Sequence, residues 1–126
     1  MTIAIACLLV AALMPYLTIA PAKYHRSYDN RAPRDWASSL SGWRKRATAA
    51  HLNHFEAFAP FAAGLLAAEL AKAPQGAIDG LALVFIASRV VYTAFYFADK
   101  AALRSLVWMV GFGCTVALYA VALAAR

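Results

Sequence analysis

Charge is what this chain most conspicuously lacks. Of its 126 residues 14% are Asp, Glu, Lys or Arg, where a soluble domain carries about 25%. Acidic residues are the scarcer sign, six against twelve Lys and Arg. Only two cysteines occur, Cys7 and Cys114, each inside an apolar stretch. That excludes a disulfide scaffold and marks both as small core residues rather than nucleophiles. No alternation of apolar and polar residues marks a strand, and four apolar stretches cannot close a barrel. A phosphate-cradling glycine loop, a dinucleotide fingerprint and a Ser-His-Asp order are all missing. What is abundant is hydrophobic side chain, 63% of the residues, against roughly 45–50% in soluble domains. Disordered chains are polar, and a soluble monomer this small has too much surface to hide so much apolar material. The remaining class is a small all-α polytopic membrane protein.

Four apolar runs organise the chain. Met1 to Ala22 carries no charge, and about 20 apolar residues at 1.5 Å each span the ~30 Å of hydrocarbon. Ala20-Pro21-Ala22 could be read as a leader cleavage site. The stretch is long for that purpose and has no basic segment before it, so a retained helix over 2–22, kinked at Pro15, is the expectation. The second run, 43–72, is less pure: it passes through His51, Asn53, His54 and Glu56 and contains Pro60, where a kink is predicted. Pro74-Gln75-Gly76 reads as a turn. The third run, 77–98, holds Asp79 near its start and Arg89 in its middle, and Asp99-Lys100 marks the next turn. The fourth, 103–125, has no charge beyond Ser105, and Arg126 after it is placed to snorkel to the interface. These runs predict a single four-transmembrane-helix domain over residues 1–126.

The cations set an expected orientation. Lys23, Arg26, Arg31, Arg34, Arg44, Lys45, Arg46, Lys100 and Arg104 fall on one side, and Lys72 and Arg126 on the other. Positive loops stay in the cytoplasm, so both termini are predicted to face away from it. Tyr24, Tyr28, Trp36 and Trp43 suit an interfacial aromatic belt. A basic loop of this kind is explained by topology and by attraction to anionic lipid. Cations lying between membrane runs do not point to nucleic acid.

Ionisable groups inside apolar helices are costly and so are functional candidates. Arg46, Asn53 and Glu56 are spaced by seven and three residues, which places them on one helical stripe, with His51 and His54 beside it. Arg89, Tyr92 and Tyr96 stand at i, i+3 and i+7, a second stripe, and Glu56 is the expected partner of Arg89. Arg104-Ser105 opens the fourth run, with Trp108 one turn on. Together these predict a polar pocket between helices. Arg suits a carboxylate, Asn and Glu an amide or ammonium, and Tyr a thiolate or carbonyl. The alternative reading is structural, with an interhelical hydrogen-bond network and Arg104 as an interfacial anchor. A metal site from His51, His54 and Glu56 is not expected, because the two histidines lack the i, i+4 spacing of a helical pair. Gly111-Phe112-Gly113 predicts close helix packing, with a subunit contact as its candidate place.

The string Arg-Ala-x-x-Ala-His-x-Asn-x-x-Glu of Arg46 to Glu56, followed by Pro60-Phe61, resembles the second-helix signature of the MAPEG superfamily, the membrane-associated proteins in eicosanoid and glutathione metabolism. Ser88-Arg89-Val90-Val91-Tyr92-Thr93-Ala94-Phe95-Tyr96 resembles its third-helix segment and Leu103-Arg104-Ser105 its fourth-helix entry. The likeness is to the short bacterial branch. It implies a homotrimer of four-helix subunits in a bacterial inner membrane, with glutathione as cosubstrate bound between subunits. Arg46, Asn53, Glu56, Arg89, Tyr92 and Tyr96 form the implied binding set, Glu56 holding the ammonium. Arg104 is implied to stabilise the glutathione thiolate for attack on a hydrophobic electrophile arriving from the bilayer, a transferase or peroxidase reaction. The other reading is a non-catalytic membrane protein whose polar cluster is structural or binds lipid head groups. The chain departs from better-known members at Leu52 and Ala49, which stand where those members carry basic residues, at Trp108 in place of a Tyr, and in having no Arg within its first span.

Overall fold

In the computed structural model residues 2–125 are described; Met1 and Arg126, the expected snorkelling cation, lie outside them. The described chain is helical and contains no strand. There are four long helices, α1 (Thr2–Lys23), α3 (Gly42–Leu70), α4 (Gln75–Phe97) and α5 (Ala101–Ala124), and one short helix, α2 (Pro33–Ser38), in the basic loop between α1 and α3. α1, α4 and α5 are long and apolar enough to cross a membrane. Helix α3 is not among them; it carries Arg44, Lys45, Arg46, Glu56 and Glu69 and also His51, Asn53 and His54.

Buried positions recur every seven residues. On α3 they run Ala47, His54, Phe61 and Ala68; on α4 Ile78, Phe85 and Tyr92, with Ala82 and Arg89 in the adjacent row. This is the spacing that keeps one helical seam facing its neighbour. Ala4, Cys7 and Ala11 of α1 and Cys114, Leu118 and Ala122 of α5 complete one core with Phe61 and Phe85, whose rings stack at 3.8 Å. Small residues let the backbones approach. A Cβ on Gly111 would come within 2.7 Å of Ser88 Oγ, so this glycine seats α5 on α4 inside one chain, whereas Gly113 meets nothing within 4 Å. Helices α3 and α4 each pack on both α1 and α5 and on each other, while α1 and α5 do not meet. The two helices that carry the polar stripes thus form the centre of the bundle. Its outer faces are lined with exposed Leu, Val, Ile, Met and aromatic side chains, as lipid contact requires.

The turns are tight; the one after α4 lies at Asp99-Lys100 as expected, whereas the one after α3 lies before Pro74. After α3 the chain reverses at Lys72 (φ 55°), where Lys72 N–H donates to Glu69 O and Ala73 N–H to Ala68 O. Asp99 (φ 59°) repeats the device after α4, with Asp99 N–H to Tyr96 O and Lys100 N–H to Phe95 O. In both, a left-handed residue closes the helix and satisfies its last carbonyls. Pro74 precedes α4, and Gln75 and Gly76 belong to its first turn. Helices α1 and α3 run unbroken through Pro15, Pro21 and Pro60. The basic loop is folded rather than loose. Trp36 is buried, donates from Nε1 to Ser27 Oγ at 3.1 Å and meets the Tyr28 ring edge-on at 4.9 Å. Trp36 is therefore core in this loop and not a free belt residue.

Candidate functional site

The α3–α4 seam carries two ionisable side chains, His54 and Arg89, both almost fully buried. A buried guanidinium needs acceptors, and α3 provides them. Arg89 donates from Nη2 to Asn53 Oδ1 at 2.8 Å and from Nε to His54 Nδ1 at 3.3 Å. Since His54 Nδ1 accepts, its proton sits on Nε2, which donates to Thr93 Oγ1 at 2.8 Å. Thr93 in turn donates to the Arg89 carbonyl at 2.9 Å. The result is a closed ring of hydrogen bonds in which each group has one consistent role, the arrangement in which neighbours strengthen one another.

Glu56 is not the direct acceptor of Arg89. Asn53 stands between them, donating from Nδ2 to Glu56 Oε2 at 3.1 Å while accepting from Arg89. The carboxylate itself is exposed on the side of the bundle. It is the fifteenth of 29 residues of α3, roughly 20 Å from either helix end at 1.5 Å per residue.

A column of rings continues the site toward the basic end. Arg89 Cζ lies 4.2 Å from the Tyr92 ring centre, Tyr92 meets Tyr96 edge-on at 5.5 Å, and Arg104 Cζ lies 4.2 Å from the Tyr96 ring centre. Helix α4 supplies three of these groups from one face, and α5 brings Arg104 to them from its first turn. Beside the column a cleft of about 160 Å³ opens between α3, α4 and α5, with Asn53, Glu56 and Arg89 on its polar wall and Pro60, Trp108 and Phe112 on its apolar one.

The structure thus brings together Asn53, Glu56, Arg89, Tyr92, Tyr96 and Arg104. Arg46 lies outside the cleft wall: its Nη2 donates to Phe97 O at 3.1 Å. His51 faces α1, with Nδ1 donating to Pro15 O at 2.6 Å. The two histidines of α3 therefore point to different helices, and no cluster of three or more His, Cys, Asp or Glu side chains placed to hold a metal ion occurs among the described residues. His54 and Thr93 are the members of the site that the two stripes do not contain. Their sequence signal is the seven-residue row Ala47-His54-Phe61-Ala68 and the i, i+4 step from Arg89 to Thr93.

Compared with known proteins, residues 3–124 match the model of the MAPEG family, nearly the whole chain. The chain belongs to the MAPEG family. It is accordingly an integral membrane protein built as a helical bundle. None of the curated proteins and none of the solved structures matches it.

Proposed function

We propose that this MAPEG protein is a homotrimer of four-span subunits that binds glutathione and directs its thiolate at hydrophobic electrophiles. In this reading α3 is the fourth span, both termini face away from the cytoplasm, and the host membrane is a bacterial inner membrane. The observation that carries the proposal is Glu56. A carboxylate exposed on the flank of a bundle, half-way along a helix that packs among three membrane spans, is too costly to leave in lipid. Something polar must cover it. A neighbouring subunit and a ligand with an ammonium group together supply that cover.

The donor set fits the tripeptide. Glu56 takes the ammonium, the Asn53 amide and Arg89 guanidinium take a carboxylate and an amide, and the Tyr92–Tyr96 column leads to Arg104. The fit is incomplete within one subunit: about 160 Å³ is below the roughly 300–1,000 Å³ of pockets that enclose a small ligand, so the remaining wall comes from the next subunit. Arg104, held over Tyr96 in a poorly solvated site, favours the charged form of a thiol. The thiolate sulfur then bonds to the electrophilic carbon of a substrate that enters from the bilayer, either expelling a leaving group with its bonding electron pair or opening an activated double bond whose carbanion takes up a proton from water.

Glutathione added to purified protein in detergent is expected to give near-ultraviolet thiolate absorbance and to raise the unfolding temperature. Arg104→Ala is expected to remove the absorbance and keep the thermal shift. Absence of both signals in the unmodified protein sinks the reading. The second reading, a structural cluster without a thiol ligand, is favoured by one observation, the closure of the Arg89–His54–Thr93 ring inside a single chain.

A further inference from the structure

We propose that the groove between α1 and α4 is a binding site for one anionic phospholipid, its acyl chain along the groove and its phosphate on Arg44 and Arg46. The groove, about 260 Å³, is lined by Met14, Leu17 and Thr18 of α1 and by Val90, Thr93 and Phe97 of α4. It is apolar except for two threonine hydroxyls, and it shares no lining residue with the cleft already described. Such a trough in a lipid-exposed surface takes an acyl chain.

Phe97 connects the groove to the cations. Its carbonyl holds Arg46, and its ring lies 6.0 Å from Trp43. Arg44 in turn is stacked on Trp43, its Cζ 4.6 Å from the ring centre. The side chains are therefore ordered by the protein, yet they are short of acceptors. Arg46 gives one hydrogen bond, and the Nε of Arg44 and of Arg46 are buried without a partner, so the terminal guanidinium nitrogens are the ones left to meet a phosphate. A guanidinium carries five N–H donors, and no carboxylate pairs with either arginine among the described residues. Both belong to the end of the bundle where α1 closes at Lys23, about 8 Å along the axis from Thr18 at 1.5 Å per residue. An apolar trough beneath two ordered, acceptor-poor guanidiniums has the layout of a phospholipid, tail below and phosphate above. Basic pockets between membrane helices bind anionic head groups in this way.

The site is testable without any assumption about glutathione. Purified full-length protein in detergent is incubated with palmitoyl-oleoyl phosphatidylglycerol, with phosphatidylcholine of the same chains, with dihexanoyl phosphatidylglycerol and with inorganic phosphate. Bound lipid is counted by native mass spectrometry, and unfolding temperature is followed in parallel. One long-chain phosphatidylglycerol per subunit is expected to be retained, at least tenfold over phosphatidylcholine and over the short-chain lipid, with no thermal shift from phosphate. The pair Arg44→Gln and Arg46→Gln is expected to reduce retention about tenfold. Val90→Trp, which fills the groove from an exposed position, is expected to do so with both arginines intact, and it decides the matter if the arginine pair does not fold. Neutralising Arg26, Arg31 and Arg34 in the loop is expected to leave most of the retention. Equal retention of both head groups, a thermal shift with phosphate alone, or equal loss from the loop triple overturns the proposal.

Discussion

Arg89 shows how a single buried cation organises its surroundings. Its charge at membrane depth requires acceptors from another helix, and Asn53 and His54 meet it from α3. Removing His54 leaves Arg89 Nε without its acceptor, a penalty of about 1–3 kcal/mol. We expect His54→Ala to lower the unfolding free energy by about 2 kcal/mol in denaturant titrations, and Thr93→Val by a similar amount, because it leaves the buried His54 Nε2–H without its acceptor. Arg104 is only half-buried and rests on one ring, a contact of about 0.5–1 kcal/mol. Arg104→Ala should therefore leave stability nearly untouched, so that any loss of thiolate absorbance reports chemistry and not unfolding. Glu56→Gln keeps an acceptor for Asn53 and so spares the fold, and titration calorimetry should show glutathione affinity falling at least tenfold. Undiminished affinity in that variant would contradict the role given to the carboxylate. At this scale the sequence was partly legible. Asn53, Glu56, Arg89 and Tyr92 stand out as polar residues in apolar helices, but the partner of Arg89 does not. Glu56 offers the obvious opposite charge, and a neutral amide takes its place because Asn53 lies nearer to the α3–α4 seam.

Between helices, packing distance and turn geometry decide stability. At Gly111 an added methyl would collide with Ser88 Oγ at 2.7 Å, while Gly113 faces open space. Gly111→Ala is expected to cost about 1–3 kcal/mol, measured as a drop in unfolding temperature, with part of the loss recovered by Ser88→Ala. Gly113→Ala is expected to stabilise an isolated subunit by up to ~1 kcal/mol through helix propensity; a loss there would instead place Gly113 in a subunit contact. Lys72 occupies a left-handed conformation that costs a side-chain-bearing residue about 1–2 kcal/mol. Lys72→Gly should raise the unfolding temperature, and a lower one would mean that the lysine side chain contributes more than its backbone costs. The repeat of seven was present in the sequence all along. It is hard to see there because Ala, Gly, Cys and Thr fill many of the seam positions, and in a chain this apolar the outward faces are as hydrophobic as the inward ones.

The whole molecule is shaped by the lack of a hydrophobic contrast between inside and outside. In lipid, apolar residues gain nothing by turning inward, so close backbone approach and polar pairing determine which faces meet. One subunit leaves Glu56 and a shallow cleft on its flank, and a trimer is the assembly proposed to cover them. Light scattering on the detergent-solubilised protein should give three times the subunit mass, and the thermal shift from glutathione should disappear when the protein is diluted until it dissociates. A monomer that binds glutathione with unchanged affinity would refute the shared-site arrangement.

Composition by itself determined the membrane class, because so little charge and so much apolar side chain admit no other solvent. Ordered motifs on three segments determined the family, and helical spacing placed the polar residues on common stripes. Only the tertiary structure decided which of those residues touch: that α3 and α4 form the centre, that Asn53 and His54 hold Arg89, and that Arg46 serves the end of α4. Periodicity fixes the direction of a side chain relative to its own helix, whereas the rotation and depth of one helix against another depend on packing contacts that no single segment encodes.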